Sequence, residues 1–313
     1  MDGPYEERTQ AYKHQREVLG ATVNRTNFAI FWEQGTGKTK LAVDTAAILH
    51  MDGKIDAVFV LAPTGIHENW DVPGEGIQKH LPLHLLNTAC RVTWRANKAG
   101  NKAAQAAFQK LIKRPGGMAW LFMGFDAFIT KRGYEAAQLF MATHRCLWVI
   151  DEAARIKNVK AQRTKYAMKL RHLAAFRRPM TGTPVAQKPF DVYSLIKWME
   201  PSYWSSNGIA SYMMFRHTFG VWRQQRINGG RVIEVQSTDA KGRPVYKNLE
   251  NLAKMLKPVS SRGLKADVLD LPPKIYTTCY FDLTPEQRKH YDRMEQDYYT
   301  WFESVAQPDP EHP

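Results

Sequence analysis

An α/β fold, with a parallel sheet covered by helices on both faces, is the expectation for this chain. Three observations carry it. Short apolar runs alternate with helical patterns through the first half of the sequence. A Gly-x-Gly-Lys-Thr string, Gly35 to Thr39, sits between one apolar run and a helical pattern. Another apolar run ends in two adjacent acids, Asp151 and Glu152. The chain has 313 residues, 44% hydrophobic and 24% charged, which supplies a sizeable core for one large domain or two of ordinary size.

The elements follow in order. Residues 6–20 read as a helix, and "NFAIFW" (27–32) as a buried strand. Residues 38–50 carry Leu41, Ala42, Ala46 and Leu49 at helical spacing. "DAVFVLAP" (56–63) is a second strand, ended by Pro63. Residues 101–113 read as helix, "MAWLFMGF" (118–125) as a third strand and "RCLWVID" (145–151) as a fourth. "RPMTGTP" (178–184) reads as a short fifth strand with a tight turn. After Pro189 the character changes. "FDVYSLIKWME" is helical, and an irregular aromatic-rich stretch follows it. "GGRVIEV" and "GRPVYKNLENLAKMLK" read as a small hairpin and a helix. "DLPPK" (270–274) is rigid punctuation, "IYTTCYFDLT" (275–284) reads as a strand, and a helix starts at Pro285.

Several classes are disfavoured. No apolar run approaches the roughly 18 residues of a membrane span. The first residues, "MDGPYEERTQ", are polar and unlike a secretory signal. Cys90, Cys146 and Cys279 show no paired spacing, and the histidines show no metal-ligand spacing. A cytoplasmic protein, in a nucleoid or a host cytoplasm, is expected.

Charge points to a partner. The formal net charge is +14. Residues 91–132 hold nine Lys/Arg against Asp126 alone, and residues 155–178 hold nine with no acid. A polyanion suits that distribution better than solvated helix faces alone.

The Gly-rich string has a physical reason. Successive backbone N–H groups in such a turn converge on an anion, and the following helix adds its positive end. Gln34, Gly35, Thr36, Gly37, Lys38, Thr39 and Lys40 would then cradle the phosphates of a nucleoside triphosphate. Lys38 reaches the β- and γ-phosphates and the Thr39 hydroxyl takes Mg²⁺. The general pattern has a small residue at position 32, where this chain has Trp32. Asp151 would hold the Mg²⁺, and Glu152 would orient or deprotonate the attacking water.

Five segments resemble, in order and spacing, the Swi/Snf-related ATPases of helicase superfamily two. They are "YKHQREVL" (12–19), "VLAPTGIHENW" (60–70), "DEAARIKN" (151–158), "MTGTPVAQKPFDVYSLIKWMEP" (180–201) and "SSRGLKADVLDLPPK" (260–274). The resemblance implies a RecA-like P-loop lobe with a small, mostly helical protrusion. It also implies an ATP-dependent translocase on double-stranded DNA that uses ATP and Mg²⁺. Residues 1–189 would form the first lobe and 190–262 the protrusion. Residues 263–313 would close the lobe and cross toward a second lobe outside this chain, so that these 313 residues alone hydrolyse ATP weakly. The implied roles are adenine recognition for Gln15 and hydrolysis for Lys38, Asp151 and Glu152. Thr181, Gly182 and Thr183 would couple nucleotide state to DNA. Pro63, Thr64, Gly65, Gly124, Asp126, Arg155 and Lys157 would lie along the nucleic-acid backbone.

The chain also departs from the family elsewhere. Ala154 stands where His is usual, which puts in question a polar link between the hydrolytic site and the T-G-T-P loop. Gly263 stands where the family has an arginine. Segment 202–260 is short for the protrusion, as in a compact phage or bacterial member. No Q-x-x-G-R-x-x-R string follows "DLPPK", and "QQRINGGR" (224–231) reads as a basic hairpin rather than an arginine finger. The aromatic stretch reads as a packed protrusion rather than a base-stacking platform. The competing readings are a DEAD/DEAH-type RNA helicase and a non-catalytic DNA-binding or adaptor module that keeps the P-loop fold.

Overall fold

The structure is a computed structural model that describes residues 5–113, 116–185, 188–227, 230–268 and 277–306. It divides into two compact units, residues 1–270 and 271–313.

Among the described residues the first unit has nine strands: β1 (Ala29–Trp32), β2 (Ala57–Ala62), β3 (Cys90–Trp94), β4 (Ala119–Gly124), β5 (Cys146–Asp151), β6 (Ala174–Met180), β7 (Trp222–Arg226), β8 (Val232–Gln236) and β9 (Ser260–Gly263). Seven form one sheet in the order β3-β4-β2-β5-β6-β1-β9, and every pairing in it is parallel. Strands β7 and β8 pair separately as an antiparallel hairpin. The longer helices are α1 (Lys13–Thr22), α2 (Lys38–Met51), α3 (Lys102–Ile112), α4 (Lys131–Thr143), α5 (Gln162–Leu170), α6 (Val192–Met199), α7 (Tyr212–Phe219) and α8 (Leu249–Leu256), with α9 (Pro285–Ala306) in the second unit.

Burial on both faces explains the sequence of the central strands. Every residue of β2 and β4 is buried, as is β5 up to Ile150. Such strands read as continuous apolar runs rather than as alternation. The two faces close over separate clusters. One gathers Phe59, Phe128, Trp148 and Trp198, and the other Ile30, Trp32, Val43, Val58 and Trp120. Helix α2 contributes Leu41, Ala42, Val43, Ala46, Ala47 and Leu49 to the second.

The structure corrects several expectations. The first helix begins at Lys13 instead of residue 6. Tyr5, Glu7 and Arg8 are instead tied across to other segments: Tyr5 Oη donates to Asp44 (2.6 Å), Glu7 pairs with Lys40 (3.4 Å), and Arg8 donates to Leu81 O (3.2 Å). Strands β3 and β9 belong to the sheet although neither was expected. The fifth strand begins at Ala174, four residues early. Residues 277–284 hold no strand, and residues 275 and 276 lie outside the described residues together with the whole of "DLPPK".

The aromatic stretch is packing, as expected. Trp204, Phe215 and Phe219 are buried, and Tyr193 stacks on Trp204 with ring centroids 5.9 Å apart. The "QQRINGGR" segment spans the β7–β8 hairpin, as expected, with residues 228 and 229 outside the described residues. In the second unit, Thr284 and Gln287 exchange two hydrogen bonds at the start of α9, and Pro285 is its first residue.

Candidate nucleotide site

The end of β1 turns into α2 through the Gly-rich string. Gly35 and Gly37 take φ of +81° and +83°, a region that side chains other than glycine rarely enter. At Gly37 a Cβ would also stand 1.9 Å from Gln15 Nε2. The loop is braced from inside. Thr36 Oγ1 donates to Glu33 O (2.7 Å), and Lys38 Nζ donates to Trp32 O (2.8 Å) and Glu33 O (3.0 Å).

Gln15 lies against this loop with 2% of its surface exposed. Its Nε2 donates to Thr36 O (3.3 Å) and Gly37 O (3.2 Å), while its Oε1 accepts from Tyr12 N (2.8 Å). A ring nitrogen of His14 also meets Thr36 O at 3.0 Å. Gln15 therefore joins the opening helix to the phosphate loop, and it lines an 840 Å³ cavity with Tyr12, Arg16, Gly35, Gly37 and His80.

A second cavity, of 690 Å³, receives both motifs. Gln34, Gly35, Gly37, Lys38, Thr39 and Lys40 line it on one side, and Asp151, Glu152 and Arg155 on another. Pro63, Asn69, Trp70, Lys79 and His80 complete it from the segment after β2. Thr36 is wholly buried, bonded inside the loop. The Lys40 ammonium is 4% exposed and pairs with Asp44 (2.9 Å) and Glu7 (3.4 Å), so its charge fastens the N-terminal segment to α2.

Asp151 ends β5 and accepts Trp70 Nε1–H at 3.2 Å through Oδ2. Burial pushes its carboxyl above the usual range, against the pull of the Trp70 bond and of Lys38. Burial likewise pushes the Lys38 ammonium down, against the attraction of Asp151 and Glu152. A half-buried carboxylate facing a preformed, donor-rich loop is a donor set that fits a divalent cation with a bound polyphosphate. Lys38, Thr39 and Asp151 are the residues that would hold them.

Glu152 has φ +51° and ψ +53°, a left-handed conformation that is uncommon outside glycine, asparagine and aspartate. That turn swings its carboxylate toward the T-G-T-P loop. Glu152 Oε1 accepts from Thr181 Oγ1 (2.7 Å) and Thr183 Oγ1 (3.4 Å), and Thr183 N donates to Thr181 Oγ1 (3.1 Å). A polar link between the acids and this loop therefore exists despite Ala154, and Glu152 itself makes it. Gly182 lies against the start of the phosphate loop, where a Cβ would be 3.3 Å from Trp32 O.

The residues expected along nucleic acid fall into two groups. Thr64 and Asp126 meet, with Thr64 Oγ1 donating to Asp126 at 2.8 Å, and both are exposed. Gly65, at φ +89°, is exposed beside them, whereas Pro63 and Gly124 are buried. Gly124 lies close under Thr64, whose Oγ1 would be 2.9 Å from a Cβ there. Arg155 and Lys157 lie apart from this pair on a 400 Å³ hollow shared with Glu152, Asn158 and Arg163. Arg155 also reaches the nucleotide cavity, and Lys157 pairs with Asp191 at 3.4 Å.

The basic segments are less uniformly a polyanion surface than their charge suggested. Arg178 is 2% exposed and donates to Thr22 O, Arg25 O and Thr26 O, holding the end of α1 to the sheet. Arg177 donates to Arg171 O and Met199 O. Arg91 and Arg95 pair with Asp71 (2.8 Å) and Glu68 (2.7 Å).

Trp70, Lys79, His80, His14 and Lys265 are at the site without having been singled out. Trp70, His14 and Lys265 fall inside the matched segments "VLAPTGIHENW", "YKHQREVL" and "SSRGLKADVLDLPPK", whereas Lys79 and His80 fall in none. Among the described residues no cluster of His, Cys, Asp and Glu could hold a metal by itself, and no helix is long and apolar enough to cross a membrane.

Residues 14–307 match the family described as the SNF2-related domain. The chain belongs to that family, and its larger unit is a RecA-like P-loop lobe. Among its relatives, a putative SWI/SNF-related matrix-associated actin-dependent regulator of chromatin from Arabidopsis thaliana, subfamily A member 3-like 1, is 32% identical over 154 residues. That alignment takes in 47% of this chain and 14% of the relative. Helicase SWR1 of Gibberella zeae is 25% identical over 304 residues, 93% of this chain and 16% of that protein. The chain thus spans a small part of the curated relatives it matches. In fold it resembles the Sulfolobus solfataricus SWI2/SNF2 ATPase core solved in complex with dsDNA, at a TM-score of 0.58 and 20% identity. The match covers 97% of this chain and 56% of that one.

Proposed function

We propose that this chain is the ATP-binding lobe of a motor that hydrolyses Mg·ATP to move along double-stranded DNA. The observation that carries the reading is Glu152. One carboxylate borders the phosphate-loop cavity and accepts from Thr181 in the T-G-T-P loop. Hydrolytic and coupling groups thereby share an atom.

Lys38 and Thr39 bind the phosphates and the Mg²⁺, Asp151 takes the Mg²⁺, and Glu152 positions water. The bound metal supplies charge neutralisation at the transferring phosphoryl group. Gln15 reads the adenine edge. Its Nε2 and Oε1 are both engaged, so that recognition involves exchanging one of its present partners. A change at Glu152 on loss of the terminal phosphate passes to Thr181, Gly182 and Thr183. Thr64, Gly65 and Asp126, buttressed by Pro63 and Gly124, form one DNA-contacting edge, with Arg155 and Lys157 on another.

Residues 190–262 act as a protrusion on the lobe, and residues 263–313 lead toward a second RecA-like lobe. That second lobe supplies the arginines that complete hydrolysis, which can change rates roughly 10³–10⁵-fold in related phosphoryl-transfer enzymes. A motor of this kind works in the compartment that holds its DNA, cytoplasm or nucleoid.

The test is Mg·ATP turnover with linear duplex DNA, with single-stranded RNA, and with neither. Stimulation by duplex DNA supports the reading. Stimulation by RNA alone favours an RNA helicase. DNA binding that is indifferent to nucleotide and to Lys38→Ala favours a non-catalytic module.

A further inference from the structure

Lys265 stands at the phosphate loop with none of the roles assigned above. It opens the short turn Lys265–Val268 directly after β9. Two hydrogen bonds fix its backbone beside the loop. Glu33 N donates to Gly263 O (3.0 Å), and Lys265 N donates to Glu33 Oε2 (2.7 Å). The side chain then lies over Gly35. A Cβ on that glycine would be 3.3 Å from Lys265 Cε and 3.5 Å from Nζ.

The electrostatics agree with the geometry. Two cations thus converge on one loop that already offers backbone N–H groups and the positive end of α2. The loop carbonyls of Trp32 and Glu33 occupy Lys38, and the Glu33 carboxylate accepts from the backbone of Lys265. Convergent positive charge of this kind is stable against its own repulsion when a polyanion sits between the cations.

We propose that Lys265 is a second phosphate-binding cation of this site, contacting the terminal phosphates of the bound nucleotide across Gly35. The inference rests on the reading of the loop as a nucleoside triphosphate site. It goes further by giving the segment after β9 a direct contact with the nucleotide. Lys38 addresses the β- and γ-phosphates, and Lys265, whose ammonium lies over Gly35 of the same loop, addresses the same end.

The test uses the whole chain and calorimetric binding of two Mg²⁺ complexes, those of a non-hydrolysable ATP analogue and of ADP. Lys265→Met keeps the backbone bond to Glu33 and removes only the charge. It is expected to weaken the triphosphate analogue about tenfold, the scale of one charge-assisted hydrogen bond, and to weaken ADP about threefold or less. Lys265→Arg should recover most of the difference, and the unliganded melting temperatures should coincide. Equal affinities of Lys265→Met and the parent chain for both nucleotides would overturn the proposal. So would an equal loss for both that Lys265→Arg does not recover, because that pattern belongs to a displaced loop. If the parent chain and Lys38→Ala bind neither nucleotide, the nucleotide-site reading fails first and takes this inference with it.

Discussion

The two sides of the nucleotide site absorb departures from the family pattern in opposite ways. On the phosphate-loop side, Trp32 replaces a small residue and Gly263 replaces an arginine. These are direct partners in the pairing of β1 with β9. The indole is 1% exposed, donates to Ser261 Oγ at 2.9 Å, and would stand 2.9 Å from a Cβ on Gly263. A gain of volume on one strand meets a loss on its neighbour. On the acid side, Ala154 stands where the family has a histidine. The polar link is instead carried by Glu152, through a left-handed backbone and a bond to Thr181. A packed contact tolerates change only as complementary shape, whereas a polar contact tolerates it by taking a new partner.

The largest expected effects break the acid and phosphate sides outright. Lys38→Ala removes the cation that braces the loop and, in the proposed reading, binds the phosphates. Turnover should fall at least about 10²-fold, with nucleotide affinity lost in calorimetry. Glu152→Gln should lower turnover about 10²–10⁴-fold, the scale of a lost general base, while nucleotide still binds. Retained turnover in that variant would reduce Glu152 to a structural link. Thr181→Val removes the donor to Glu152 and should cost about tenfold in turnover with little change in affinity, the scale of one buried hydrogen bond.

The packing side is broken by Gly263→Arg. It forces a side chain against the indole and should destabilise the lobe by about 1–3 kcal/mol, read as the denaturation midpoint. Trp32→Gly alone opens a cavity and should cost about 3–5 kcal/mol. If the two departures compensate each other, the double variant is less destabilised than the sum by about 1 kcal/mol or more. Strict additivity would separate them.

The same division between shape and polarity explains what the sequence reveals. Strands β2, β4 and β5 were legible because both their faces are buried and their residues run apolar without a break. Strand β3 is an edge strand, "CRVTW", of which only Trp94 is buried. Strand β9 is "SSRG", which has no apolar residue, and its place comes entirely from pairing with β1. Tyr280 and Phe281 gave 275–284 a strand-like composition, yet they are 91% and 80% exposed and the described part pairs with no strand. At the site, Lys38, Thr39, Asp151 and Glu152 belong to contiguous motifs with chemistry attached. Trp70 and Lys265 fall inside matched segments but reach the loop only through folding, and His80 comes from a stretch that no local pattern marks. Arg177 and Arg178 show the converse. They counted toward a polyanion surface until their burial assigned them to backbone carbonyls.

The smallest expected effect tests how far the packing side extends around the cavity. His80 accepts or donates through Nδ1 to Thr9 Oγ1 at 2.7 Å, and it lines both cavities. Burial, then the charges of Lys40, Lys79 and Arg8, push its imidazole down to about 4. The unfolded chain has the ordinary histidine value of about 6.5, so between roughly pH 6.5 and 4 the unfolded state binds the extra proton. Stability from His80 is therefore complete above that window and is lost as pH falls through it. The side chain is partly solvated, which limits the loss to about 1 kcal/mol. His80→Asn removes the titration. The stability difference between the parent chain and this variant, measured by denaturant midpoints, should shrink against the parent from pH 7 to 4.5. A difference that stays constant over that range would mean that His80 is free to take up its proton in the folded lobe, and that the packed side of the site stops short of it.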